Sequence, residues 1–259
     1  MSDQRPTVTT RDEGVALITW SATLQDQGWL VALEAVSQEV EKALADHVRV
    51  EALVPVGDET GQRIATWSGL RREGVLRGVP GPGGDADQIL FARLAGDVPH
   101  SQPDGFRALL NSFLPRKRAI SQMLVRGPED RVLLCRLTYK DDWDLPGGVV
   151  EVGESPQVAV SREVSEELGL TIPAGPLLLT DWLPPWGGWD DAICLVFDGG
   201  RHDGDLLDDM VRQEREIRAA EFCTPEQVEE RCADFTARRV RAALASLGGN
   251  GPTYTQSGE

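Results

Sequence analysis

The chain of 259 residues is 41% hydrophobic, enough to fill one large core or two small ones, and two domains are favoured. A formal net charge of −16 excludes broad binding to nucleic acid polymers and to anionic membranes, whose phosphates are repelled by a surface without a basic face. A small phosphorylated ligand stays compatible, because a bound cation can offset charge locally.

The N-terminal "MSDQRPTVTTRDEGVALITW" has no basic segment leading into an apolar one, and no apolar run approaches the ~18 residues of a membrane span. A soluble cytoplasmic protein is expected. Apolar patterning then predicts a strand over Val15–Ala22, a helix over Leu30–Ala45, a strand over Val48–Val54 and a helix over Thr60–Leu70. Two strands follow near Val75 and Leu90. "PGPGGDAD", Pro80–Asp87, reads as a turn, and "AGDVPHSQPDG", Ala95–Gly105, is rich in chain breakers. Residues 1–97 are therefore expected to form a first domain and residues 98–115, with the short amphipathic "FRALLNSFL", a linker. A second domain, residues 116–248, opens with a strand near Arg118–Val125. The polar end "GGNGPTYTQSGE" places a disordered tail at residues 249–259. No repeat of 20–50 residues is found. Cys135, Cys194, Cys223 and Cys232 lack paired C-x-x-C spacing, and are expected as free thiols, mostly buried, in a reducing compartment. His47, His100 and His202 have no spacing that suggests a metal site or a triad.

"RVLLCRL", Arg131–Leu137, is an apolar strand followed by a polar loop and then "GGVVEVGESPQVAVSREVSEELGL", Gly147–Leu170. Ser155 is a good N-cap, Pro156 suits the first helical position, and Gly169 stands where a helix ends in the left-handed conformation. At about 100° per residue, Val160, Val164 and Leu168 form an apolar stripe, while Glu163, Glu166 and Glu167 share a neighbouring arc. Like charges at these spacings repel and lower helix stability unless a cation sits among them. Clustered carboxylates suit a hard ion such as Mg²⁺; the bland alternative is a solvated acidic face.

The spacing from Gly148 through Glu154 to Arg162-Glu163-Val164-Ser165-Glu166-Glu167-Leu168-Gly169-Leu170 resembles the Nudix box without a departure, and "WDLPGG" before it is similar to the entry of many Nudix proteins. The likeness covers about residues 116–247. It implies an α/β/α sandwich with a mixed sheet, and Mg²⁺-dependent hydrolysis, with Mn²⁺ as a substitute, of a nucleoside diphosphate linked to another moiety X. It further implies that Glu166 and Glu167 bind metal, that Glu163 binds metal or serves as the base, and that the Gly147 carbonyl is a metal ligand. Arg162 would orient the acids, and Gly148, Glu154 and Gly169 would support loop and helix. The family places the base on different carboxylates, so it stays open here. Glu216, opening the strand-like "EIRAAEFCT", is a further metal-binding or catalytic candidate by likeness to related sequences, against a plain surface charge; Glu214 is the lesser substitute. Trp182, Trp186 and Trp189 lie among prolines and glycines in "TDWLPPWGGWDD". Trp186 and Trp189, with Arg136, are taken as substrate-binding candidates, against loop packing.

"GQRIATWSGLRREGVLRG" followed by "DQILFARL" is similar to the C-terminal half of GNAT acetyltransferases. Asp58 and Gly61 replace the family's Asn and Ser, and "GWLVALEAVSQEV" runs from Gly28 straight into the helix without a glycine-rich phosphate loop. The first domain thus reads as a small, partial GNAT-like α/β module with a structural, dimerising or substrate-shaping role, so that a homodimer is among the expected states. A nucleotide-sensing Nudix protein without catalysis is the alternative function, and acetyl transfer a weaker one.

Overall fold

A computed structural model describes residues 5–80, 84–249 and 251–259, and the chain divides between Pro115 and Arg116 into two compact units. In the first unit, β1 (Thr7–Asp12), β2 (Val15–Thr19), α1 (Ala22–Asp26), α2 (Trp29–Asp46), β3 (Arg49–Pro55), α3 (Glu59–Trp67), β4 (Arg71–Val79), β5 (Ala86–Leu94) and α4 (Pro103–Phe113) follow in order. The sheet order is β1-β2-β3-β5-β4, with β2 and β3 parallel. Ala32, Val36, Val40 and Ala43 give α2 a buried stripe at spacings of three and four. That stripe joins a core containing Ile18, Val50, Ala52, Ile64 and Phe91.

The segment expected as a linker instead contains α4 and belongs to the first unit. Leu109 is buried, Phe106 meets Trp67 with ring centroids 6.5 Å apart, and Ser112 Oγ accepts from Arg72 N at 3.2 Å. The apolar side of "FRALLNSFL" supplied enough buried surface to dock it. Part of the Pro80–Asp87 turn, residues 81–83, lies outside the described residues.

The second unit contains β6 (Arg118–Arg126), β7 (Val132–Leu137), β8 (Trp143–Asp144), β9 (Gly147–Val149), α5 (Pro156–Leu168), β10 (Leu177–Leu183), β11 (Ala192–Arg201), β12 (Ile217–Cys223), α6 (Pro225–Arg231), α7 (Asp234–Leu247) and β13 (Tyr254–Gln256). The main sheet order is β12-β7-β6-β11-β10-β13, with β8 on β7 and β9 on β6. It is mixed: β6–β11 and β10–β13 are parallel, while β10–β11 and β7–β12 are antiparallel. The two-residue side-chain period of β6 sends Met123 and Val125 into a core with Val160, Val164 and Leu168 of α5. Leu124 enters a second core with Val228 of α6 and Ala237, Val240 and Ala243 of α7. The unit is an α/β/α sandwich, as the fold expectation required.

The tail expected to be disordered is ordered where it is described. β13 pairs with β10, and Asp181 accepts hydrogen bonds from Thr255 Oγ1 at 2.8 Å and Gly258 N at 2.9 Å. Residue 250 falls outside the described residues. The segment's polar composition hid its anchor, a buried carboxylate 74 positions earlier in the chain.

Candidate active site

Local chemistry sets the helix that carries the acids. Ser155 Oγ caps α5 by accepting from Val158 N, Pro156 begins it, and Gly169 ends it at φ 68°. Before it, β9 brings two glycines against neighbouring groups. Gly147 has φ 138°, and a Cβ there would stand 2.2 Å from the Ser121 carbonyl oxygen. A Cβ on Gly148 would stand 2.5 Å from Cδ of Glu163. Only glycine lets this backbone pass so close to β6 and to the acid.

Arg162 gathers the carboxylates around it. Its Nη2 donates to Glu154 Oε1 at 2.7 Å, and its Nη1 donates to Glu163 Oε1 at 3.1 Å and Glu166 Oε2 at 3.0 Å. Glu167 lies on the inner side of α5, 5% exposed, where Oε2 accepts from Gly147 N at 3.1 Å. Burial pushes Glu167 up to about 8, with the Glu163, Glu216 and Asp144 charges adding to the shift. Glu163 is raised as well, first by burial, against the pull of Arg162.

Glu216 stands just before β12. Its approach is fixed by Val211 N and Gln213 N, which donate to the Leu168 and Glu167 carbonyls at the end of α5, and by Thr138 N, which donates to the Glu216 carbonyl at 2.8 Å. Glu216 is exposed, yet its charge acts on both Glu163 and Glu167. Among the described residues, no three His, Cys, Asp or Glu side chains form a ready-made metal cluster: Arg162 holds Glu163 and Glu166, while Glu167 faces Gly147. The donor set nonetheless fits a hard divalent cation, because a buried carboxylate surrounded by like charge is stabilised by a positive ion and is costly without one.

A cavity of about 250 Å³ adjoins these glycines. Gly147, Gly148 and Val149 line it together with Trp186, Trp189 and Phe235. Gly187 and Gly188, at φ 56° and 87°, make the tight turn that lets Trp186 and Trp189 exchange backbone hydrogen bonds of 3.1 and 2.8 Å. Trp186 meets Phe235 edge-on at 5.3 Å, and the Arg118 guanidinium lies 4.8 Å from the Trp189 ring centre.

The NUDIX domain model matches residues 115–244, which contain this helix, the glycines and the cavity. The chain belongs to the Nudix family. It is 32% identical to a MutT-like protein of Streptomyces ambofaciens over 130 residues, spanning 50% of this chain and 78% of the relative. It is also 33% identical to nucleoside triphosphatase NudI of Escherichia coli over 115 residues, 41% of this chain and 77% of that one. Among solved structures, a UDP-X diphosphatase aligns with TM-score 0.46 at 21% identity, over 60% of this chain and 75% of its own. A MutT protein of Methanosarcina mazei aligns with TM-score 0.45 at 23% identity, over 52% and 99%. The second unit is a Nudix pyrophosphohydrolase domain, and relatives of this kind generally use divalent metal ions. Among the described residues, no helix is long and apolar enough to cross a membrane.

Within the Nudix domain, Arg162, Glu154, Glu163, Glu166, Glu167, Gly147 and Gly148 come together, Glu216 adds its charge, and Trp186 and Trp189 reach the cavity. Arg136 does not join them: it is exposed on β7 and is absent from the cavity lining. Trp182 instead donates from Nε1 to Asp191 at 3.2 Å. All four cysteines are buried and free.

Gln122, Lys140, Asp144 and Arg239, none of them marked by a motif, form a polar chain in the cavity lining. Lys140 Nζ donates to Asp144 Oδ2 at 2.6 Å, Gln122 Nε2 to Asp144 Oδ1 at 2.8 Å, and Arg239 Nη1 to Gln122 Oε1 at 3.1 Å. Burial acts to raise Asp144, but the Lys140 and Arg239 charges and the hydrogen bonds outweigh it and hold the carboxyl below its ordinary range. A signal existed in α7: Arg239 falls in the arc of Thr236, Val240 and Ala243, which a core-facing helix reserves for uncharged residues.

Proposed function

We propose that this Nudix domain hydrolyses the anhydride of a nucleoside diphosphate linked to a moiety X, with Mg²⁺, or Mn²⁺ in its place, as cofactor. The observation that carries the reading is Glu167, buried among like charges beside the glycines of a cavity walled by aromatic rings. Glu163, Glu166, Glu167 and Glu216, with the Gly147 carbonyl, would hold the cation. When bound, it supplies positive charge to the diphosphate oxygens and makes water a stronger nucleophile.

The chain's own residues do the rest. Arg162 fixes Glu163 and Glu166 in orientation through charge-assisted hydrogen bonds. Glu163, whose carboxylate lies against Gly148, takes the proton from the attacking water as the water oxygen bonds to phosphorus and the bridging P–O bond breaks, its electron pair leaving with the departing phosphate. Trp186 and Trp189 cover the organic part of the substrate, leaving the diphosphate toward Gly147 and Gly148.

In the first unit, α2 begins at Trp29 directly after Gly28, which supports a GNAT-like remnant with a structural or substrate-shaping role rather than acetyl transfer. The buried free thiols fit a reducing cytoplasm.

A panel of nucleoside triphosphates, oxidised nucleotides, nucleotide sugars and dinucleotide phosphates, incubated with protein and Mg²⁺ and followed by ³¹P NMR, tests the reading. Release of two phosphorylated products, or of a nucleotide and pyrophosphate or phosphate, is expected, and is abolished by Glu166→Gln. Tight nucleotide retention without turnover across the panel, with Mg²⁺ and with Mn²⁺, would overturn it in favour of a sensor.

A further inference from the structure

The hairpin between β10 and β11 carries two tryptophans that the fold does not bury. Trp186 is 50% exposed and Trp189 57%, and both line the cavity. At the tip, a Cβ on Gly187 or Gly188 would meet nothing within 4 Å, so packing against the body of the domain does not set the course of the loop. Two large rings left in solvent beside a cavity forgo the burial that offsets the cost of ordering them, and mark a surface that receives a ligand.

What holds Trp189 in place is Arg118. This residue opens β6 and pairs in register with Ala192, which opens β11, so its side chain starts at the foot of the hairpin. The guanidinium carbon lies 4.8 Å from the Trp189 ring centre, and Nη2 donates to the Asp190 carbonyl at 3.0 Å. One planar group thus fixes both the ring and the backbone beside it. The preceding residue, Lys117, pairs with Asp191, whose carboxylate also accepts from Trp182 Nε1 at 3.2 Å. Arg118 Nε is buried without a partner, which lowers stability; the gain lies in where the side chain puts its guanidinium.

We infer that Arg118 is a positioning residue for substrate: it holds Trp189 as a wall for the flat organic part, and so sets affinity rather than the rate of the chemical step. The inference rests on the nucleotide hydrolase reading above, in which Trp189 covers that part. A wall fixed before binding removes the cost of ordering it on binding. Arg162, not Arg118, holds the acids of α5, so removing the Arg118 fork leaves them in place.

The test is a double-mutant cycle between Arg118→Met, which keeps the stem and removes the charged fork, and Trp189→Leu, with Arg118→Lys as the conservative variant. KM and kcat are measured with ATP, GTP, CTP and UTP and Mg²⁺. Calorimetric titration with AMP, GMP, CMP and UMP, without added metal, reads binding apart from turnover. Arg118→Met is expected to raise KM and weaken monophosphate binding roughly five- to thirtyfold, while kcat stays within about threefold. Arg118→Lys should recover part of the loss. Because Arg118 acts through the ring, adding Arg118→Met to Trp189→Leu should weaken binding by less than about twofold more. Additive losses in the double variant overturn the inference, since Arg118 would then touch the ligand on its own account. So does a fall in kcat with KM unchanged. Unaltered affinity in Trp189→Leu also overturns it, and that ring is exposed, so this variant decides even if Arg118→Met does not fold. Turnover with unaltered KM in Arg118→Met sinks this inference and leaves the hydrolase reading intact. Monophosphate binding that follows the expected cycle, in a protein that turns over nothing, sinks the hydrolase reading and leaves this one standing.

Discussion

Two glutamates, one in each unit, lie almost out of solvent in opposite electrostatic settings. Glu51, in the first unit, accepts from Arg11 Nη1 at 2.9 Å and Arg49 Nε at 2.7 Å, and Arg49 is itself raised by the hydrogen bond to Glu73 and held by both acids. Among the described residues, Glu167 in the Nudix domain has no basic partner: one backbone N–H serves it, and its neighbours Glu163, Glu216 and Asp144 are acids. A charge matched within the chain contributes to holding the fold. A charge left unmatched lowers stability and is kept for what it can bind.

The sharpest way to break this contrast is to neutralise each acid. Glu167→Gln should lower turnover by at least about a hundredfold, while the melting temperature of EDTA-treated protein rises, since a like-charged buried group has been removed. Glu51→Gln should do the reverse to the fold, lowering stability by about 1–3 kcal/mol because two arginines lose a charged partner. Kinetics at limiting Mg²⁺ and denaturant melts check both. A Glu167→Gln protein as active as the parent would remove the distinction between the two sites.

The adjacent glycines sharpen the same distinction on the scale of one atom. Gly147→Ala meets the fixed Ser121 carbonyl and has a disfavoured φ, and should cost about 2–4 kcal/mol of stability. Gly148→Ala meets only the movable end of Glu163, so the carboxylate shifts instead. Its stability loss should stay under about 1 kcal/mol, with activity falling on the order of tenfold to a hundredfold. Chemical denaturation and kcat/KM separate the two; an unstable but fully active Gly148→Ala would contradict the placement of Glu163 against Gly148.

Much of this site was legible because its signals are local. Ser155, Pro156 and Gly169 mark the ends of α5, and Val160, Val164 and Leu168 mark its buried face, all within one short stretch. The strands β7 and β12 followed from apolar runs. By contrast, β1 is short of apolar residues and exposed along most of its length, and β13 depends on Asp181 far away. Arg239 has arginine neighbours at 238 and 241. Its place in the buried arc of α7 was a local signal, but its partner on β10, Asp181, lies 58 positions away and is not set by local spacing.

The pH dependence of the two acids offers a smaller effect with a definite sign. Glu167 has a folded pKa of about 8 against an ordinary 4.5, so the folded protein binds its proton more tightly than the unfolded chain does. That contribution is fully present below about 4.5 and is lost as pH rises through about 8. The melting temperature of EDTA-treated protein should therefore fall across this window, and Glu167→Gln should flatten the fall. Added Mg²⁺ should restore stability toward the upper end. A parent and a Glu167→Gln variant with parallel profiles in EDTA would show that the carboxylate is not strained by its neighbours.

The smallest expected effect is at Glu216, and it asks how far the unmatched cluster extends. Two hydrogen bonds from Val211 and Gln213 to the end of α5 bring the chain to this point, and the Glu216 charge then acts on both Glu163 and Glu167 from an exposed position. An exposed carboxylate is screened by water and acts more weakly than a buried one, so Glu216→Gln should reduce turnover only about three- to tenfold at saturating Mg²⁺. At limiting Mg²⁺ the loss should deepen, because a ligand or a steering charge counts most when the cation is scarce. Glu214→Gln should match the parent at every concentration. Titrating Mg²⁺ against rate for the parent and both variants decides the point. If Glu214→Gln is the damaged variant and Glu216→Gln is not, the cluster ends at α5 on this side, and the acid that completes it stands two residues earlier in the chain.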